Sequence, residues 1–245
     1  MSPKEEIMNY KEHEVPECPI CGAEPKMNYK VKEGEKIVLW YQCKCGSVFH
    51  TGKVDKSFFT EEYKAKWLNM KEIKERMEYE VDVYFPFIET LIEGRKFLDV
   101  GFTIDLGLSY LQARGWIATG IDIIKNKYIT EDFEQFEFND KFSCIKFGHV
   151  LESFEKPIEA FNRAVGLLED DGVLIITTPA PEIISYLNPI NFGHLSEHKS
   201  RHTFISRKEI ERLAIKNNME IVLYRQNLHP RFASFNDAHI ILQKR

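Results

Sequence analysis

The sequence predicts an α/β protein: a mostly parallel sheet with helices on both faces, a terminal antiparallel hairpin, and a small cysteine-bearing module in front. Three observations carry this. From residue 96 onward, short apolar runs alternate with amphipathic stretches of helical period, the pattern of strand–helix–strand units. The last two apolar runs, 220–226 and 238–244, have no room between them for a crossover helix, so they pair antiparallel. Four of the five cysteines fall at Cys18, Cys21, Cys43 and Cys45, ahead of that pattern.

The cysteines define the first module, residues 1–56. C-P-I-C-G at 18–22 and C-K-C-G at 43–46 each place two thiolates on a tight turn, with a glycine that lets the turn close. Two such knuckles make a tetrahedral sulfur site, for which zinc is the usual occupant, so the segment reads as a zinc ribbon. A segment this short buries little core, and the metal supplies much of its folding energy. Because the second knuckle is C-x-C, His50 is held as a reserve ligand for one of the pair. Cys144, alone in an apolar run, is a buried strand residue.

Residues 57–94 form a helical connector or lid. Trp67, Met70, Ile73, Met77, Val81 and Tyr84 recur at helical spacing, Pro86 interrupts the run and Gly94 ends it. The core domain, 95–245, begins with the strand KFLDVG, then a helix presenting Leu106, Tyr110 and Leu111, then the strand WIATGID ending in Asp122. Further strands are expected at 142–148 and 172–179, with helices at 158–170 and 206–218. Ser206 is an N-cap and Glu209 completes a capping box.

In such a sheet ligands lie beyond the carboxyl ends of the strands, near the switch point. That gathers Gly101 to Asp105, Asp122 and the segments after 148 and 178 around one crevice. Asp122 follows Gly101 by 21 residues, the place from which a carboxylate accepts both hydroxyls of a ribose. The turn G-F-T-I-D-L-G lacks the three glycines of a dinucleotide site, and Asp105 would repel a pyrophosphate. A cofactor with a ribose and no phosphate fits better.

LDVG at 98–101, GID at 120–122, GHVLESFEKPIEAFNRAVGLLEDDGVLIITTP at 148–179 and the HTF-IS-RKEIERLA stretch together resemble class I S-adenosylmethionine-dependent methyltransferases, over about residues 95–245. Methyltransferases with an N-terminal zinc ribbon are a known arrangement, in keeping with the cysteines. The resemblance implies a Rossmann-like core and cofactor contacts at Asp99, Gly101, Phe102, Thr103, Asp122, Ile123, Asp132, Phe133 and His149. Gly101 to Thr103 would run beneath the methionine part, Asp122 would hold the ribose, and Asp132 and Phe133 would meet the adenine. His149, Val150 and Leu151 would face the sulfonium and the acceptor. Thr103 and Asp105 stand where the family's turn has its second and third glycines.

Methyl transfer needs alignment and, for a hydroxyl or amine acceptor, one base. His149 is one choice; His194, His198 and His202, four residues apart, share a face if helical, and His194 and His198 are chosen for acceptor contact. His229, before a proline, reads as a turn residue. Two other readings stay open: a degenerate, non-catalytic binding module, and a zinc-ribbon RNA-binding protein or RNA methyltransferase. The net charge of -5 divides into 0 on the ribbon, -3 on 57–92 and -2 on the rest, so no segment holds nucleic acid by bulk positive charge. A small molecule or sugar is the favoured acceptor. No stretch approaches the roughly 18 to 20 apolar residues of a membrane span, and the first 14 residues lack the apolar run of a secretory signal, so the cytoplasm is the expected compartment.

Overall fold

The computed structural model describes residues 16–33, 36–52, 54–68, 71–182, 199–226 and 237–245. Its larger sheet is formed by β4 (Lys96–Val100), β5 (Ile117–Asp122), β6 (Ile129–Thr130), β7 (Phe142–Gly148), β8 (Leu168–Pro179), β10 (Met219–Gln226) and β11 (Asp237–Lys244). The order is β10-β11-β8-β7-β4-β5-β6. Strands β4 to β8 pair in parallel, whereas β11 runs antiparallel to both β8 and β10, as the short connection required. From β4 the chain builds outward through β5 and β6, then returns to lay β7 on the other side. The switch point therefore lies between the carboxyl ends of β4 and β7, at Gly101 and His149.

Side chains alternate across these buried strands. Leu98, Ile145, Leu174, Ile176 and Leu242 point to one face, where α4 (Pro157–Leu167) and α5 (Arg207–Lys216) bring Phe161, Ala164, Ile210 and Leu213. Phe97, Cys144, Val173, Ile175 and Ile241 point to the other, against Val81, Phe85 and Ile88 of α2 (Lys71–Ile88) and Leu108 and Leu111 of α3 (Leu106–Ala113). Helices thus cover both faces. Cys144 is fully buried, and burial pushes its thiol pKa up, which leaves it an inert core residue.

The connector is two helices, α1 (Glu61–Leu68) and α2. Four expectations need correction. Pro86 does not break α2 but sits in its last turn, and the helix runs on to Ile88, because only one backbone bond near the end is forfeited. The buried face of α3 is Leu108 and Leu111; Leu106 and Tyr110 are half-exposed. α4 ends at Leu167, and β8 takes over at Leu168, which pairs with Phe142. The capping box at α5 is half made: the Ser206 hydroxyl accepts from the Glu209 N–H, but the Ser206 N–H donates to Ser47 Oγ at 3.1 Å. Glu209 instead binds Arg212.

Ser47 directly precedes β3 of a second sheet, of order β1-β2-β3-β9, formed by β1 (Pro25–Glu33), β2 (Lys36–Cys43), β3 (Val48–His50) and β9 (Thr203–Phe204). All its pairings are antiparallel. Phe204, from the far end of the chain, stacks on Trp40 at 5.1 Å between ring centroids, and with Val48 they form its small core. Among the described residues no helix is long and apolar enough to cross a membrane.

Candidate functional site

The loops at the switch point enclose a cleft. Its lining includes Asp99, Gly101, Phe102, Thr103, Asp122, Ile123, Asp132, Phe133 and His149, so all nine residues expected at a cofactor converge on one cavity. Gly101 is required by its neighbours: its φ is +67°, and a Cβ would lie 2.5 Å from Val150 Cγ2. The turn after β4 therefore packs directly against the Val150 side chain, which follows β7. Thr103 keeps a left-handed φ of 52° although it is β-branched, and His149 does so at 57°. Strain of this kind persists where the surroundings over-determine the backbone, and it gathers at functional sites.

Asp122 shows what fixes Thr103. Its carboxylate accepts the Thr103 N–H at 2.8 Å and the Ile124 N–H at 2.8 Å, so it ties the turn after β4 to the end of β5. Burial raises its pKa, and the backbone donors only partly offset this. Asp105 does not line the cleft; it pairs with Lys127 at 2.7 Å. Asp132 accepts the Glu134 N–H and is paired with Lys56, while the buried Phe133 ring packs against Phe147 and Phe154. α1 is anchored above this end by Lys64, which donates to the Lys125 carbonyl, and its Tyr63 joins the cleft wall.

The other end of the cleft holds buried charges that the sequence reading missed. Lys146, on the central strand β7, lies in register with Asp99 and donates to Glu80 of α2 at 2.8 Å. Arg76 shares Glu80, with Nε 3.6 Å from Oε1. Burial alone would raise the Glu80 pKa, but Lys146 and Arg76 hold it down at about 2. For Asp99, burial wins over Lys146, and the pKa is pushed up to about 6. His149 stands between two carboxylates: Nε2 is 3.3 Å from Asp237 Oδ2, and Nδ1 is 3.6 Å from Glu152 Oε1. Burial pulls its pKa down, yet these carboxylates reverse the sign and leave it raised. Glu152, itself wholly buried, also binds Arg201 and Thr178. A signal for Lys146 was present in the sequence, as a single lysine inside the apolar run F-S-C-I-K-F-G. Glu80 likewise falls on the buried face of α2, seven residues after Ile73.

His194 and His198 lie outside the described residues, as does His229. His202 is on extended chain just before β9, so the expected helical face does not reach it.

The four cysteines of the ribbon meet. Their sulfurs all lie within 4.8 Å of one another, with Cys18 to Cys45 at 3.9 Å and Cys21 to Cys43 at 3.4 Å. Thiolates about 2.3 Å from a tetrahedral zinc stand at such separations, so the donor set is compatible with that ion. Both knuckle glycines, Gly22 and Gly46, have positive φ, as the tight turns demand. The C-x-C spacing brings both of its sulfurs into the cluster. His50 is therefore not a reserve ligand: its Nδ1 accepts the Gly52 N–H and its Nε2 donates to the Arg201 carbonyl at 2.7 Å.

A sheet of this order, with its cleft at the β4–β7 switch point, defines a class I methyltransferase fold. The profile of the methyltransferase-domain family matches residues 72–224, more than half of the chain, and the chain belongs to that family. The solved structure of a S-adenosylmethionine-dependent methyltransferase from Archaeoglobus fulgidus is similar at 13% identity, covering 78% of this chain and 100% of that one, with a TM-score of 0.56. The 1,6-didemethyltoxoflavin-N1-methyltransferase of Burkholderia thailandensis, solved with S-adenosylhomocysteine, is similar at 11% identity, 88% and 98% coverage and a TM-score of 0.53. The magnesium protoporphyrin IX methyltransferase of Synechocystis follows at 13%, 70% and 83%, and 0.50. No curated protein sequence matches the chain.

Proposed function

We propose that this protein transfers a methyl group from S-adenosylmethionine to a small polar acceptor, a sugar or other small molecule, and that its four cysteines hold a structural zinc. The observation that carries the first part is the convergence of the strand-end carboxylates, the strained Gly101–Thr103 turn and His149 on one cleft at the switch point.

Bound there, S-adenosylmethionine supplies an electrophilic methyl group; the chain binds, orients and excludes water. Asp122, already fixed by two backbone donors, holds the ribose hydroxyls. Asp132 and Phe133 bound the adenine, with Ile123 beside them. Asp99 and the Gly101–Thr103 turn hold the methionine part, and the missing Cβ of Gly101 lets Val150 pack against that turn. Asp105, paired with Lys127, directs no charge at this turn. His149 receives the proton of a hydroxyl or amine acceptor, and Asp237 and Glu152 stabilise the imidazolium that forms. His194 and His198 complete the acceptor side. RNA is not favoured, since the ribbon is electrically neutral.

Calorimetric titration of the full chain with S-adenosylmethionine and S-adenosylhomocysteine tests the reading. One-to-one binding of both at micromolar to submillimolar concentration is expected, and no heat from either at millimolar concentration would refute it. Metal analysis of purified protein is expected to return one zinc per chain; none in stoichiometric amount refutes the zinc site.

A further inference from the structure

A strap of the connector crosses the mouth of the cleft. It begins at the buried Val54, and the next N–H, that of Asp55, donates to the Lys199 carbonyl at 2.9 Å. Lys199 leads into Ser200, whose carbonyl accepts Ser153 Oγ at 2.6 Å on the β7 side. The strap ends in α1, where Lys64 donates to the Lys125 carbonyl at 3.0 Å, just past β5. It is thus pinned on both flanks of the switch point. Between the pins its sequence sets its shape. Asp55 accepts the Ser57 N–H and caps a single turn of 3-10 helix, Lys56–Phe58, and Thr60 Oγ1 accepts the Tyr63 N–H at the start of α1.

These turns present Lys56, Phe59 and Tyr63 to the cavity. The half-buried rings of Phe59 and Tyr63 meet edge to face with 5.5 Å between centroids, and Lys56 pairs with Asp132. The links to Asp132 and Lys125 set the rings at the ends of β5 and β6, where Ile123, Ile124 and the buried Phe133 form the facing wall. A flat base gains from aromatic surface laid on its apolar face, and rings above a floor of apolar side chains suit one. Asp132 keeps room for a further donor: Oδ1 takes the Glu134 N–H and Oδ2 takes Lys56, so each oxygen retains a lone pair for an exocyclic amine. The strap precedes the stretch matched by the family, which starts at residue 72, so these side chains are this chain's own addition to the cleft.

We propose that Phe59 and Tyr63 are cofactor-binding residues that pack on the adenosine half of S-adenosylmethionine, with Lys56 as a positioning residue that aims Asp132 at the adenine amine. This rests on reading the cleft as a S-adenosylmethionine site.

Calorimetry of the full chain compares S-adenosylhomocysteine with methylthioadenosine, which keeps the adenosine half, and with S-inosylhomocysteine, which lacks the amine. Phe59→Ala and Tyr63→Ala should each weaken S-adenosylhomocysteine and methylthioadenosine alike, by about tenfold. Phe58→Ala is the control. Phe58 packs on both rings, at 5.7 and 5.3 Å, but does not line the cleft, so this variant should bind as the unaltered chain does. Lys56→Met should weaken S-adenosylhomocysteine and lose most of the preference over S-inosylhomocysteine, because the carboxylate is no longer held. Unchanged affinity in either ring variant overturns the inference alone. So does a loss confined to S-adenosylhomocysteine, or no binding of methylthioadenosine at millimolar concentration, since the rings then serve the methionine part. An equal loss in Phe58→Ala also overturns it, because the strap then acts through its fold only. Unchanged or tighter binding by Lys56→Met overturns the positioning role. Failure of the unaltered chain to bind S-adenosylhomocysteine overturns the underlying reading and the inference with it.

Discussion

The ribbon and the α/β core solve the same problem by opposite means. The core seals a seven-stranded sheet between two apolar layers, with Phe97, Leu98, Phe147 and Phe161 almost wholly out of water. The ribbon has a small cluster of Trp40, Val48 and Phe204, the last from β9, and sends Cys18, Ile20, Cys43, Cys45 and Phe49 into the larger core cluster. The difference predicts what each part tolerates: the core can lose one side chain and stay folded, whereas the ribbon leans on the proposed zinc and on its contacts with the core.

Removing the proposed zinc is the strongest way to break the comparison. Cys18→Ser, or a chelator, should unfold the ribbon outright, since structural zinc contributes on the order of 10 kcal/mol in small modules. Hydrogen exchange should show Val48 and Phe49 losing protection while Leu98 and Ile145 keep theirs. Equal loss in both sheets would show that the two parts fold as one. Next in size, Phe161→Ala should cost the core about 3–5 kcal/mol in denaturant melts, with one zinc per chain retained.

Asp122→Ala sharpens the contrast at the cleft. Loss of the carboxylate frees the Thr103 and Ile124 N–H groups and removes the proposed ribose acceptor, so S-adenosylhomocysteine affinity should fall by about two orders of magnitude on calorimetry. Unchanged affinity would refute the ribose role.

Stability should also depend on pH through buried groups of the core. Glu80, held at about 2 against an ordinary 4.5, contributes stability that is present above 4.5 and lost as pH falls toward 2. His149, raised above 6.5, contributes stability present below 6.5 and lost as pH rises through its folded value. Asp99, raised from 3.8 to about 6, also loses stability as pH rises, but over the lower window between those two values. Urea melts from pH 3 to 9 should show both limbs, Glu80→Gln flattening the acid one and His149→Asn the alkaline one. The smallest effect belongs to Thr103→Gly, which relieves the left-handed φ and should stabilise the core by about 1 kcal/mol.

The parts of this molecule that obey local periodicity were legible in its sequence. Strands β5, β7 and the terminal hairpin, the Ser206 cap and the two cysteine knuckles all follow from residue patterns within a dozen positions. The cleft residues on strand ends were legible too, because the switch point fixes where strand ends meet. What stayed hidden depends on distant pairing. Lys146 looks like an interruption of a strand until Glu80 arrives from α2, and Glu152 looks like a surface residue until Arg201 covers it. Likewise His50 resembled a spare ligand because its true partner, the Arg201 carbonyl, lies 151 positions away.

The pairing of β3 with β9 sets an order of assembly. Val48 and Phe49 leave the ribosome more than 150 residues before Phe204 and Thr203, the partners they require. At 5–20 residues per second that interval is roughly 8 to 30 s. The cysteine knuckles are local and can close at once, but the sheet they brace stays one strand short, and its Trp40 uncapped, until synthesis has passed all five parallel strands of the cleft-bearing sheet. The module at the front of the chain is thus among the first to start folding and among the last to finish, held meanwhile by its local β1–β2–β3 pairings and by the two cysteine knuckles.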